Sequence, residues 1–83
     1  MTDLELEPHL FVRVYIPIRY MMGSANVLGA YVEEKEAIAR LNAEFKTQCT
    51  PVHEYQIEVW KGFRCVELGE LQLDGTVHWR LRE

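Results

Sequence analysis

The sequence of 83 residues lacks the short patterns that identify most catalytic and cofactor-binding sites. Its five glycines form neither the G-x-G-x-x-G fingerprint of dinucleotide-binding proteins nor a phosphate-binding loop. No apolar run approaches the roughly 20 residues that a membrane-spanning helix needs. Its paired glutamates fit a solvated strand face and a helix start better than general acid–base catalysis. We therefore expect a protein that is not an enzyme, uses no cofactor and does not enter a membrane.

Cysteine is scarce as well, with only Cys49 and Cys65 in the chain. Without a recognisable secretory leader, two cysteines are typical of free thiols in the reducing cytoplasm, which is the location we expect. Together with His53 and His78 they give C-x3-H and C-x12-H spacings. Structural zinc sites use closer cysteine pairs, so we predict no metal site. Pro51 separates Cys49 from His53, and no shared face for a nucleophile and its base is predicted.

The chain also lacks an excess of basic residues, because 13 acidic side chains against nine basic ones give a net charge of −4. Proteins that follow nucleic-acid phosphates are normally basic, so a nucleic-acid partner is unlikely on this ground. The hydrophobic content of 48% is that of a globular protein. We expect a single domain over residues 1–83, with 1–9 as a loose lead-in. Its core must be small, so a larger protein or a second copy would stabilise it.

The hydrophobic period changes twice along the chain and predicts the fold class. Apolar residues alternate from Leu10 to Ile18, recur every three to four residues from Glu33 to Cys49, and alternate again from Tyr55 to Leu81. This pattern indicates an α+β fold of order β-β-α-β-β-β, a mostly antiparallel sheet of about five strands with one helix packed on one face. The predicted strands are Leu10–Ile18, Val27–Val32, Val52–Lys61, Cys65–Leu73 and Thr76–Arg82.

The buried side of each element follows from the same periods. The helix presents an apolar stripe, and we expect it to pack on one face of the first strand and on Tyr55, Ile57 and Val59 of the third. The stripe consists of Ile38, Leu41, Phe45 and Cys49. The face of the first strand expected under the helix carries Leu10, Val12, Val14, Ile16 and Ile18. The face expected to be exposed carries Phe11, Arg13, Tyr15 and Arg19.

Turn residues predict two local features near the end of the chain. The apolar phase slips across Gly69, which indicates a β-bulge there. A three-residue loop, Leu73-Asp74-Gly75, keeps both faces of the last hairpin consistent and places Gln72 opposite Thr76.

Pro17 is expected at an edge, a bulge or the end of the first strand. A turn is predicted over residues 23–26.

Aromatic, methionine and arginine side chains on one side of the sheet are candidates for a contact surface, because protein interfaces are enriched in them. The acidic start of the helix is a second candidate, since it would attract a basic partner. The predicted partner-binding residues are Arg13, Tyr15, Arg19, Tyr20, Met21, Met22, Trp60, Glu33, Glu34 and Glu36.

Three functions fit this sequence. The first is a small regulator or inhibitor that binds a larger protein, including a phage-type inhibitor of a host defence complex. The second is a homodimeric module that binds a small ligand or RNA on aromatic residues of the sheet. The third is a small enzyme or enzyme subunit that uses His53, His78 and glutamates. We favour the first.

Overall fold

The computed structural model describes residues 12–48 and 50–82. Its five strands form one antiparallel sheet in the order β2-β1-β3-β4-β5, and one helix packs on it, so the predicted α+β class is confirmed. The elements are β1 Arg13–Met21, β2 Ser24–Val27, α1 Glu34–Gln48, a 3₁₀ turn Val52–Glu54, β3 Tyr55–Lys61, β4 Arg64–Leu71 and β5 Val77–Leu81. The predictions for 1–9, Leu10, Phe11 and Cys49 lie outside the described residues. No helix in the described ranges is long and apolar enough to cross a membrane.

Helix α1 and strand β3 build the core much as their periods predict. Two acidic residues, Glu34 and Glu36, lie in the first turn of α1, where the helix dipole favours negative charge. Ala37 and Leu41 are fully buried on the stripe that faces the sheet, and Phe45 packs edge-on against Tyr55 at 5.4 Å. The expected packing of α1 on β3 is confirmed, since the alternate residues of β3 are fully buried. They are Tyr55, Ile57 and Val59.

Strand β1 turns its other face to α1, and the predicted face is wrong. The register pairs Tyr15 with Val59 and Pro17 with Ile57, so these two residues of β1 lie on the helix side. Both faces of β1 are largely apolar, and the antiparallel neighbour rather than the strand's own pattern sets its phase. The residues expected under the helix point the opposite way. Those that the register places are Val14, Ile16 and Ile18.

Pro17 lies in the middle of β1 and does not end it. Its carbonyl accepts a hydrogen bond from the backbone N–H of Leu28 at 2.8 Å, so its backbone faces the side of β2. The register between β1 and β2 ends with the pair Ile18–Val27, which lies just after Pro17 on β1. The hydrogen-bond ladder between the two strands therefore does not need the backbone N–H that proline lacks.

The second strand is earlier and shorter than predicted. The tight turn is Met22-Gly23, with φ of 48° and 84°, and β2 follows at once from Ser24. Two positive φ angles in a two-residue hairpin loop match the twist of the flanking strands. Past β2 the chain stays beside β1 through a bridge between Tyr31 and Tyr15.

Strand β4 contains a bulge, but not at Gly69. Val59 pairs with Glu67 while Trp60 pairs with Cys65, which leaves Val66 as the extra residue. Gly69 pairs regularly with its neighbours on both sides. A Cβ atom there would lie 2.5 Å from Cγ1 of Val77 and 2.7 Å from the ring of Trp79. The glycine makes room for these two side chains, which pack on the core.

The last hairpin has the predicted geometry. Gln72 and Gly75 are joined by a 2.9 Å hydrogen bond, Gln72 N–H donates to the carbonyl of Thr76 at 2.8 Å, and Gly75 has φ of +89°. Asp74 Oδ1 accepts hydrogen bonds from the backbone N–H and the hydroxyl of Thr76, at 3.0 and 2.6 Å. These bonds, the side-chain bond first, lower the pKa of Asp74.

Candidate protein-binding face

The face of the sheet that points away from α1 has no second layer of helix or strand within residues 12–48 and 50–82. We call it the open face. Its apolar side chains lie mainly on β1, with further ones on β2, β3 and β4, while β3, β4 and β5 add polar and charged ones. The register places on it Val14, Ile16, Ile18 and Tyr20 of β1, Val27 of β2, Gln56, Glu58 and Trp60 of β3, Cys65, Leu68 and Glu70 of β4, and His78 and Arg80 of β5.

Glu58 lies at the centre of the open face, opposite Ile16 on one side and Leu68 on the other. Its carboxylate accepts a hydrogen bond from the hydroxyl of Tyr20 at 3.1 Å and one from Nε1 of Trp60 at 3.0 Å. Each carboxylate oxygen receives one of the two bonds. Both aromatic side chains are therefore anchored to one acceptor, and unused lone pairs of Glu58 remain to accept donors from a partner.

The apolar part of this face is not fully covered by its own neighbours. Val14, Ile16, Trp60 and Leu68 are all half-buried. Ile18 is 4% exposed, and Val27 beside it is 60% exposed. Sheets normally bury such a face against another layer. This surface is therefore suited to contact another apolar surface.

Two ionisable groups of the open face, Cys65 and Tyr20, have pKa values raised in favour of their protonated forms. Burial, and then the negative charge of Glu58, raise the pKa of Cys65, while Arg82 lowers it less. Burial followed by the charge of Glu58 also raises the pKa of Tyr20. A thiol with a raised pKa stays protonated near pH 7 and is a poor nucleophile. The arrangement supports hydrogen bonding and apolar contact.

The rim of the open face toward β5 is charged. Arg80 Nη2 donates to Glu70 Oε2 at 3.1 Å, and both side chains are well exposed. An open depression of about 400 Å³ lies beside them, lined by Leu68, Arg80, Leu81 and Arg82. Apart from the hydrogen-bonded Glu58, the face has apolar residues toward its middle and polar ones at its rim, which is the usual anatomy of a protein interface.

The predicted aromatic–arginine surface is divided by the structure. Tyr15 and Arg19 lie on the helix side, so their expected exposed position is wrong. The ring of Tyr15 packs edge-on against Trp79 at 6.3 Å. The side chain of Arg19 is only 12% exposed, and its Nε donates to Glu54 at 3.4 Å.

The other predicted residues fall in separate places. Tyr20 and Trp60 are on the open face, whereas Met21 and Met22 lie at the turn after β1, with Met22 fully exposed. The acidic helix start is exposed at another position; its residues are Glu33, Glu34 and Glu36. Arg13 begins β1 on the helix side of the sheet, and its guanidinium donates a hydrogen bond to Glu67. Hydrogen bonding to Glu67, and then its charge, raise the pKa of Arg13.

Sequence reasoning named only Tyr20 and Trp60 of the open face as contact candidates, and four of the residues that it missed lie near the middle of that face. These are Val14, Ile16, Glu58 and Leu68. A signal was present, because Trp60 alternates with Glu58 on a strand face that looks polar, and a tryptophan there is out of place on a purely solvated surface. That face of β3 pairs with the aliphatic face of β1, which the strand patterns alone did not reveal.

No three histidine, cysteine, aspartate or glutamate side chains are grouped to hold a metal ion in the part of the chain that the structure describes. Comparison with known proteins finds no matching family model, no matching curated protein and no matching solved structure. Support for a function therefore comes from the surface of this chain alone.

Proposed function

We propose that this protein is a non-enzymatic binding module whose open face docks on a larger protein. One observation carries the proposal. The aliphatic residues of β1 lie on the side of the sheet that α1 does not cover, with Trp60 and Leu68 beside them; they are Val14, Ile16 and Ile18. Contiguous apolar surface of this kind on a small protein usually marks a contact site. A chain of this size that acts by covering another protein would serve as a regulator or inhibitor.

The chemistry of the open face supports a protein as the partner. Tyr20 and Trp60 present large side chains whose polar atoms are already hydrogen-bonded to Glu58, so little side-chain freedom is lost on binding. Aromatic residues held in this way are typical of interface hot spots. The pair Glu70–Arg80 at the rim adds both signs of charge, which favours a defined orientation.

The same face is poorly suited to RNA. Its aromatic rings could stack bases, but Glu58 and Glu70 place two carboxylates among them. Phosphates would be repelled by these groups and by the net charge of −4. A second copy of the chain is the remaining alternative occupant, because the face carries both signs of charge.

Photo-crosslinking tests the proposal in two steps. A photoreactive phenylalanine replaces Leu68 on the open face or, as the matched control, Ala39 on the exposed side of α1. Irradiation in lysate of the source cells should give a protein adduct at position 68 that is missing at position 39. The captured protein is then purified and titrated with the unlabelled parent.

Specific binding by that purified protein, weakened by Trp60→Ala, supports the proposal. Adducts of equal yield at both positions would contradict it. If position 68 crosslinks to a second copy of the chain and to no other protein, the open face is a homodimer interface and the proposal of a larger protein partner is wrong.

A further inference from the structure

Strand β5 is the last strand of the sheet and pairs only with β4 within residues 12–48 and 50–82. Two backbone hydrogen bonds show which of its groups point toward β4. Arg82 N–H donates to the carbonyl of Val66 at 3.0 Å, and the carbonyl of Thr76 accepts from Gln72 N–H at 2.8 Å. Backbone groups alternate in direction along an antiparallel strand, so the residues between these two ends that point outward are also every second one. They are Val77, Trp79 and Leu81.

The same three residues carry the apolar side chains of β5. They share the α1 side of the sheet, because Trp79 pairs with Gly69 and Gly69 pairs with the buried Ile57. Val77 and Trp79 pack partly on the core, whereas Leu81 at the end of the strand is 80% exposed. Outward backbone groups and an apolar row therefore coincide on one edge of the sheet.

This edge has few of the features that keep sheet edges from pairing. Monomeric proteins protect an edge with proline, lysine, a bulge or a very short strand. Strand β5 contains neither proline nor lysine, and it pairs with β4 without a bulge. Its arginine, Arg80, lies on the opposite side and is bonded to Glu70. The other edge of the sheet is shorter, since β2 has only four residues.

The β5 edge is complementary to itself about Trp79. When a second β5 lies antiparallel beside it with Trp79 opposite Trp79, Val77 of each copy lies opposite Leu81 of the other. Outward groups then face outward groups at all three positions, and each opposed pair can exchange both of its hydrogen bonds. A register shifted either way sets one of the three residues opposite a residue outside β5. In the centred register the exposed Leu81 gains apolar neighbours from the second copy.

We propose that two copies of this protein pair through their β5 edges, centred on Trp79, and join their sheets into one continuous sheet. The two-fold axis of this dimer is perpendicular to the sheet, so both open faces lie on the same side. The contact is one strand wide, and the dimer therefore belongs to the small, transient class of interfaces. Pairing leaves the open face uncovered and does not depend on the function proposed for it.

Cysteine crosslinking tests the register. His78→Cys and Arg80→Cys are made separately in a Cys49→Ser, Cys65→Ser background. In the proposed register residue 78 of one copy lies opposite residue 80 of the other, in a non-hydrogen-bonded pair with Cα atoms about 4.5 Å apart, which a disulfide can span. On mild oxidation of the mixed variants, mass spectrometry should find the mixed disulfide in clear excess over both like-with-like products. Equal yields of the three products, or an excess of a like-with-like one, would overturn the register.

Sedimentation velocity over a range of concentrations tests the edge itself. Leu81→Lys adds a charge that protects edge strands, and Leu73→Lys makes the same change in the preceding loop at a leucine of equal exposure, 81%. The dimer Kd should rise roughly tenfold or more for Leu81→Lys and stay within about twofold for Leu73→Lys, with circular dichroism unchanged in both.

Three results would contradict the edge dimer. One is a parent that stays monomeric up to about 1 mM. Another is equal self-association of the two lysine variants. The third is a dimer lost in Trp60→Ala, on the open face, but kept in Leu81→Lys, since that pattern would place the contact between copies on the open face instead.

Discussion

The replacement Gly69→Ala probes the packing of the last two strands on the core. The new methyl group would lie 2.5 Å from Cγ1 of Val77 and 2.7–2.8 Å from ring atoms of Trp79. Carbon atoms pack best about 3.5–4.0 Å apart, so these side chains must move by about 1 Å. Overpacking of this size destabilises by about 1–3 kcal/mol. For a domain of this length that is a fall in Tm of roughly 4–20 °C.

Thermal unfolding followed by circular dichroism measures this fall, and tryptophan fluorescence in a Trp60→Phe background, where Trp79 is the remaining tryptophan, reports whether its environment changes. The control is the same replacement in a Val77→Ala, Trp79→Leu background, where both side chains that the methyl group would meet are smaller. There the loss caused by Gly69→Ala should be clearly smaller. A Tm for Gly69→Ala within 1–2 °C (roughly 0.3 kcal/mol) of the parent would refute the packing of Trp79 over Gly69.

Three further outcomes are expected. Phe45→Ala removes a half-buried ring from Tyr55 and should destabilise by about 2–4 kcal/mol in chemical denaturation; an unchanged midpoint would contradict the α1 packing. The pKa of Tyr20 is raised in the folded protein. The stabilisation linked to its hydroxyl proton is therefore present below the ordinary pKa of 10.0 and is lost as the pH rises through the higher pKa of the folded state. On alkaline titration the parent should lose this stabilisation, whereas Tyr20→Phe should not. The lowered pKa of Asp74 means that its contribution is present above 3.8 and is lost as pH falls through the folded value. Asp74→Asn should therefore be less stable at pH 7 and approach the parent at pH 2.

The elements whose conformation is determined by residues close together in the chain could be predicted from the sequence. Helix α1 follows from its apolar stripe and the proline after it, and β3 follows from clean alternation. The last hairpin follows from turn chemistry, because only the three-residue loop ending at Gly75 kept both faces consistent. Each of these signals depends on residues that are close together in the chain.

The features set by distant residues could not be predicted in this way. Both faces of β1 carry apolar residues, and only pairing with β3 decides that Tyr15 and Pro17 face α1. The bulge at Val66 depends on the register between β3 and β4. Gly69 is needed because Trp79, from the next strand, occupies the space of a side chain.

The candidate site likewise contains features that neighbouring residues predict and features that depend on residues distant in the chain. Tyr20 and Trp60 were predicted as contact residues from their type and lie on the open face. Their link through Glu58 could not be seen, because it requires β1 and β3 to be neighbours. Choosing the wrong face of β1 moved Tyr15 and Arg19 into the predicted surface and left Ile16 out of it.

The most direct test of the central claim is the affinity of the crosslinked partner for two charge-insertion variants, measured by calorimetry with purified proteins. Leu68→Arg replaces an apolar contact of the open face, beside Glu58, with a long cationic side chain, and Ala39→Arg places the same charge on the exposed side of α1. The account predicts that Leu68→Arg weakens binding at least thirtyfold, about 2 kcal/mol, while Ala39→Arg binds like the parent and both variants stay folded. Parent-like affinity of a folded Leu68→Arg would contradict the assignment of the open face as the binding surface.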